Sequence, residues 1–339
     1  MKVAAEVAIT EPTHVAEARR VSLRLAKHLE FDDDVQARLA VVVTEIATNV
    51  LKHAGRGKVL VSPVCHDHRA ALDVYGFDAG PGIPNLMACL RDGYSTAGSS
   101  GTGLGAIARM SDDWDVFTGP QSGTVIRARC GPKAAAPRTP SLEVGGITLP
   151  MNGDPDSGDS WVVRSHSPDS LSMLMVDGLG HGYGAAQAAN AAVDIFLRKP
   201  ALSGVALMEE LHAGLRTTRG AAVASVEASL SAGTLQFTGV GNISGVVHDG
   251  SAAAQHLVSM NGIVGHRLSK LREFSYPWTA GSVLVLHSDG LRNRWTLGSY
   301  PGLQARSAAL IAGVLMRDHS RGTDDSSVAV AVQRSSHVS

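Results

Sequence analysis

Apolar residues recur along this chain with two periods, and the period changes where turn residues fall. Val15, Val21, Leu25 and Leu29 share one face of a helix expected over His14–Leu29. Leu39, Val42, Ile46 and Val50 make a second stripe and predict a longer helix over Val35–His53. Short apolar runs bounded by Gly, Pro, Asn or Asp predict strands at Val3–Ile9, Lys58–Val64, Ala70–Phe77 and Thr124–Cys130. A further helix is expected over Gly103–Met110.

The stretch GPKAAAPRTPSLEVGG, residues 131–146, has no apolar period and carries repeated Pro and Gly, so it reads as an interdomain linker. Beyond it, strands are expected at Trp161–His166, Leu171–Val176, Ala222–Leu230, Thr234–Val240, Ser282–His287 and Ser327–Gln333. Helices are expected at Tyr183–Arg198, Gly204–Arg216 and Arg306–Met316. Runs of strands broken by long helices predict a layered α+β architecture.

Composition refines this picture in three ways. A length of 339 residues suggests two domains, and with aromatics at only 4% the cores should be built from Ala, Val, Leu and Ile. A net charge of −1 provides no basic field for nucleic acid or an anionic membrane, so neither is expected as a partner. No run approaches the ~20 apolar residues of a membrane span, and Glu6 interrupts what would be a signal-peptide core. Cys65, Cys89 and Cys130 have neither metal spacing nor a disulfide pattern, which points to a reducing, cytoplasmic location.

Three pieces carry the chemistry of the first half. Glu45 and Asn49 in TEIATNVLKHA stand one helical turn apart at the border of the buried stripe, where they could act on water and on Mg²⁺. Alone, the pair reads better as a solvated polar face. Asp78 in DAGPGI closes a strand, and a carboxylate there suits a purine amino group, although the segment is also an ordinary turn. The segment DGYSTAGSSGTGLG, residues 92–105, fits either a flexible tether or a glycine-rich loop entering a helix N-terminus, which is an anion site. SGTVIRARC then places Gly123-Thr124 at the start of a strand.

The order and spacing of these pieces resemble the Bergerat ATP-binding fold of the GHKL superfamily. Within it, DGYSTAGSSGTGLGAIARMSDDWDV is similar to the bacterial anti-sigma-factor serine kinases of the RsbW and RsbT type, RsbT especially. The resemblance covers residues 1–131 and implies an α/β sandwich that binds ATP with Mg²⁺. It implies Glu45 as the general base, Asn49 as the Mg²⁺ ligand, and Asp78 as the adenine reader with Thr124 assisting. Gly80, Gly82, Gly101, Gly103 and Gly105 would shape the pocket and its lid. No autophosphorylated histidine box is present, and His53 reads as a pocket-edge residue.

In the second half, acids stand at strand ends. Asp177-Gly178 follows LSMLMV, Asp289 follows SVLVLHS, Asp324-Asp325 precede the last strand, and Asp159 opens the expected first strand. Such acids are usually solvated caps; gathered at one edge, they would suit hard divalent ions. No Cys/His set suits zinc. The motifs VDGLGHGYGAA, GVGNIS, HSDGL and TDDSSVAVAV resemble the metal-dependent PPM serine/threonine phosphatases, in the SpoIIE-like branch that includes RsbX. That implies a β-sandwich flanked by helices over residues 147–339, after a linker at 132–146. It implies two Mn²⁺ or Mg²⁺ held by Asp159, Asp177, the Gly178 carbonyl, Asp289 and Asp324. Asp154 and Asp156 are rivals for the place of Asp159, and Asp325 is a supporting residue. His181 and His287 flank the site, and Arg164 is a phosphate-binding candidate on position alone.

Together the resemblances imply a bifunctional regulator that phosphorylates and dephosphorylates Ser/Thr of STAS-domain proteins, either anti-anti-sigma factors or RsbS/RsbR-like stressosome subunits. The alternative is a metal-dependent phosphoserine phosphatase whose N-terminal domain is an ATP-gated docking module without kinase activity. A sigma factor or another phosphatase is a further partner class that the resemblance admits.

Overall fold

The computed structural model describes residues 4–66, 69–83, 85–86, 103–120, 122–132, 142–151, 154–249 and 254–334. The chain forms two compact units, residues 1–137 and 138–339.

The N-terminal unit is an antiparallel sheet covered on one face by helices. Its strands are β1 (Ala5–Ile9), β2 (Gly57–His66), β3 (Arg69–Asp78), β4 (Asp113–Thr118) and β5 (Thr124–Cys130), in the order β1-β2-β3-β5-β4. The helices are α1 (Pro12–His28), α2 (Asp33–Ala54) and α3 (Gly103–Met110). The stripe on α2 becomes Val35, Leu39, Val42, Val43, Ile46 and Val50, all buried against Val59, Val61, Val74 and Ile126 of the sheet. Burying each such side chain contributes about 1.5–3 kcal/mol. Asp32 starts α2 by accepting the Val35 N–H (2.8 Å), and Gly55 ends it in the left-handed region at φ 71°. This long, capped helix carries Glu45 and Asn49.

The C-terminal unit stacks two sheets. The first has β7 (Asp159–Ser167), β8 (Ser170–Gly178), β9 (Ala221–Ser229) and β10 (Thr234–Val240), with Ser259–Met260 and Phe274–Pro277 pairing on β10. The second has β6 (Leu142–Leu149) and β11 (Ser244–His248), then Val283–His287 and Ser326–Gln333, with Gln255–His256 at its far edge. Alternation along β8 fits both of its faces. Met173 and Met175 enter the core between the sheets, while Leu174 and Val176 pack under α4 (Tyr183–Arg198) and α5 (Gly204–Gly214). The last helix, α6 (Ala308–His319), lies on β6 and Ser326–Gln333.

Several strands lie outside the expectations: β4, β6, β11 and the short strands Gln255–His256, Ser259–Met260 and Phe274–Pro277. Among the described residues β4 is an edge strand, paired with β5 alone, and its half-polar sequence DWDVFT gives little apolar signal. β6 overlaps the expected linker: residues 142–146 are strand, and β6 rather than the strand at Asp159 comes first in this unit. Its apolar pattern is broken by Gly145, where a Cβ would lie 2.4 Å from the Ala309 backbone nitrogen. Helix contact, not sheet pairing, dictates that glycine. No helix among the described residues is long and apolar enough to cross a membrane.

Candidate active sites

In the N-terminal unit, Glu45 and Asn49 project from α2 toward the first residue of α3. A Cβ built on Gly103 would lie 3.2 Å from Asn49 Oδ1 and 3.3 Å from Glu45 Oε2. The backbone of a helix N-terminus, with its unpaired N–H groups, therefore sits directly against a carboxylate and an amide. Gly105 is buried in the same turn. Gly101 and most of the glycine-rich segment, residues 87–102, lie outside the described residues.

Asp78 ends β3 and is fixed by backbone. Its Oδ1 accepts the Gly80 N–H (2.8 Å) and the Thr124 N–H (3.1 Å), which orients the carboxylate. Gly123 makes this approach feasible: it adopts φ 69°, and a Cβ there would lie 2.1 Å from the Asp78 carbonyl oxygen. Gly80 packs on Ala54, and Gly82 turns against the Gly119 carbonyl. Thr118, which sequence reasoning missed, links the parts. Its hydroxyl lies 3.2 Å from that of Thr124 and accepts the Ile83 N–H at 2.8 Å. It sits in the unrecognised strand β4, so no motif marked it. His53 is exposed in the last turn of α2.

In the C-terminal unit, Asp159 and Asp177 face each other directly across β7 and β8. Asp159 is buried, and the Ser288 hydroxyl donates to its Oδ2 at 2.5 Å. Burial, then the Asp177 charge, holds the Asp159 carboxyl well above the usual carboxylate range, with Ser288 acting in the opposite direction. Burial, followed by Asp289, Asp324 and Asp325, pushes the Asp177 carboxyl up to about 7. These acids thus share one edge of the unit and repel one another.

Asp325, assigned a supporting part, is buried; its carboxylate accepts the Met151 and Gly158 N–H groups, both at 2.7 Å. Asp289 is exposed and accepts the Asn242 amide at 2.7 Å, so the Asn of GVGNIS orients it. Asp324 is exposed and accepts the Asp325 N–H at 2.9 Å. Gly178 is buried, its N–H bonded to the Gly158 carbonyl at 2.9 Å. Of the rivals of Asp159, Asp154 instead pairs with the exposed His181 at 2.9 Å.

Two flanking residues have other work. His287 is buried; its ring Nδ1 donates to the Ser288 carbonyl (2.8 Å), and burial lowers its pKa. Arg164 stacks over the Phe196 ring at 4.3 Å and donates to the Phe196 carbonyl at 2.6 Å, so it braces α4 and is not placed for phosphate.

Among the described residues, no three His, Cys, Asp or Glu side chains form a ready-made metal cage. The oxygen-only donors still fit Mg²⁺ or Mn²⁺, because such ions keep several waters and need only one or two carboxylates each. Burial first, and the neighbouring carboxylates after it, disfavour the charged form of Asp177, and a cation there would offset both.

Residues 9–130 match the histidine kinase-like ATPase domain family, and residues 167–329 match the stage II sporulation protein E (SpoIIE) family. The fold and these family matches therefore define a GHKL-type ATPase domain and, after it, a PPM-type phosphatase domain. The chain belongs to the RsbT family of serine/threonine kinases in its N-terminal unit and carries a SpoIIE-type domain after it. It is 32% identical over 114 residues to the serine/threonine-protein kinase RsbT of Bacillus subtilis, covering 34% of this chain and 86% of that protein. It is 22% identical over 143 residues to the phosphoserine phosphatase RsbX of the same organism, covering 42% of this chain and 71% of RsbX. A solved structure from work on the bacterial stressosome, a modular system adapted to control secondary messenger signaling, matches with TM-score 0.52 and 28% identity, over 56% of this chain and 98% of that one. RsbX in complex with magnesium matches in fold with TM-score 0.50 and 19% identity, over 56% of this chain and 94% of that one.

Proposed function

We propose that this chain sets the phosphorylation level of a serine or threonine on a STAS-domain partner, and so controls a partner switch in a stress or sigma-factor response. The N-terminal unit adds the phosphoryl group from ATP, and the C-terminal unit removes it. The observation that carries the first half is the contact of Glu45 and Asn49 with the N-terminus of α3. Phosphoryl transfer demands positioning and charge neutralisation more than covalent chemistry. Here α3 offers N–H groups to the phosphates, Asn49 would hold the accompanying Mg²⁺, and Glu45 accepts the proton of the attacking hydroxyl. The partner's oxygen bonds to the γ-phosphorus and ADP leaves. Asp78, oriented by Gly80 and Thr124, reads the adenine amino group, with the Thr118–Thr124 hydroxyl pair beside it.

For the second half, Asp159, Asp177, Asp289 and Asp324, with the Gly178 carbonyl, would hold two Mn²⁺ or Mg²⁺. Bound there, the cations would neutralise the acids, polarise phosphoryl oxygens and lower the pKa of water. Asn242 and Ser288 keep Asp289 and Asp159 in place, and Asp325 ties residues 151 and 158 to the same edge. Leu179 and Tyr183, 49% and 71% exposed beside Asp177, suit a folded protein substrate better than a small metabolite.

The test uses the full chain with a STAS partner and radiolabelled ATP. Glu45→Ala is expected to abolish label transfer; if transfer is unchanged, the N-terminal unit is a docking module. Asp177→Ala is expected to abolish Mn²⁺-dependent release of phosphate from the labelled partner. Release that survives both this change and a chelator would rule out the two-metal reading.

A further inference from the structure

Arg219 lies at the acidic edge but has no part in the chemistry assigned so far. Its Nη1 donates weakly to the His181 carbonyl (3.4 Å), and its side chain lies across the glycines of the loop that follows Asp177. A Cβ on Gly184 would meet Arg219 Nε at 2.5 Å, and a Cβ on Gly180 would meet Nη1 at 3.4 Å. Gly184 lies in the first turn of α4, where alanine would be the better helix former, so the glycine there makes room for the guanidinium.

Gly180 links this cation to the acids. The Gly180 carbonyl oxygen and Asp325 Oδ2 stand 3.2 and 3.1 Å from the same point, the Cβ position of Gly158. The backbone beneath Arg219 is tied on both sides: Leu179 N–H donates to the Gly220 carbonyl at 3.0 Å, and Gly220 N–H to the Thr218 hydroxyl at 3.0 Å. Arg219 is exposed, and among the described residues no carboxylate pairs with it. A guanidinium that lies over the loop after Asp177, with no ion-pair partner among the described residues, has a donor fork that matches a phosphate.

We propose that Arg219 binds the phosphate of the phosphoserine or phosphothreonine substrate at the C-terminal site. The proposal rests on the phosphatase reading above. Arg219 holds non-bridging oxygens, orients the ester over the acids, and keeps hold of the free phosphate until it departs. Gly184 is its positioning residue, because the guanidinium can lie over the loop only where residue 184 has no side chain.

The experiment measures hydrolysis of p-nitrophenyl phosphate by the full chain with Mn²⁺, together with inhibition by inorganic phosphate. Arg219→Ala should raise both KM and the phosphate inhibition constant by about ten-fold, the loss of one charge-assisted contact, with half-activating Mn²⁺ unchanged. Arg219→Lys should recover part of the loss, and Gly184→Ala should reproduce it more weakly with the melting temperature kept. Unchanged KM and phosphate inhibition in Arg219→Ala would overturn the proposal. So would a loss in kcat and Mn²⁺ activation without any change in phosphate inhibition, which would make Arg219 a prop for the loop. A wild-type chain with no Mn²⁺-dependent hydrolysis would bring down the phosphatase reading and the proposal together, whereas an active wild type with an indifferent Arg219 variant overturns the proposal alone.

Discussion

Asp73 is the sharpest case of one residue answering to its surroundings. It is 1% exposed on β3 and bonds Arg127 Nη2 at 2.7 Å and Arg129 Nη2 at 2.8 Å. Burial alone would raise its pKa, but the two guanidinium charges win and hold the carboxyl below its usual range. The stabilisation is therefore full above the unfolded carboxylate pKa of about 3.9 and is lost as pH falls through the lower folded value. Asp73→Asn leaves the buried Arg127 with only the more exposed Asp113 as a charge partner among the described residues, and at pH 7 should cost about 3 kcal/mol. Thermal unfolding of both proteins should differ most near neutrality, and the gap should begin to narrow below pH ~4 and close only below the lower folded value; a gap independent of pH would contradict the pairing. Cys130 behaves oppositely. Burial, with Asp112 adding to it, pushes its thiol up to about 12. Peptide-resolved alkylation should find Cys130 unmodified in the native chain and labelled only after denaturation.

At the scale of elements, the sequence revealed most where one face is buried and least where contacts come from elsewhere. The stripe on α2 and the apolar run of β8 are legible because burial fixes their period. β4 and β6 are not, because an edge strand needs few apolar residues and Gly145 answers to Ala309 on a distant helix. The same holds at the sites. Asp78, Asp159 and Asp177 announce themselves as acids at strand ends, beside glycines. Thr118, Ser288 and Arg219 are unremarkable in sequence and acquire meaning only from what folds against them. Asp32 caps the helix that carries Glu45 and Asn49, so Asp32→Ala should cost about 1 kcal/mol of stability, read by denaturant unfolding. Gly145→Ala should cost roughly 1–3 kcal/mol, since its Cβ would drive into the α6 backbone. A neutral result for Gly145→Ala would mean that β6 and α6 pack less closely than 2.4 Å between a residue-145 Cβ and the Ala309 nitrogen implies.

For the whole molecule, the proposed function joins opposing reactions on one chain: a phosphoryl group would enter the partner through one unit and leave through the other. The most direct test is the amount of ADP formed when the full chain, with ATP, Mg²⁺ and Mn²⁺, meets a limiting quantity of STAS partner. ADP and free phosphate are expected to keep forming long after every partner molecule has been modified once. Asp177→Ala is expected to stop ADP at one equivalent per phosphorylation site, and Glu45→Ala to form none above the partner-free control. A wild-type reaction that also halts at one equivalent would contradict the claim that both units act on the same residue.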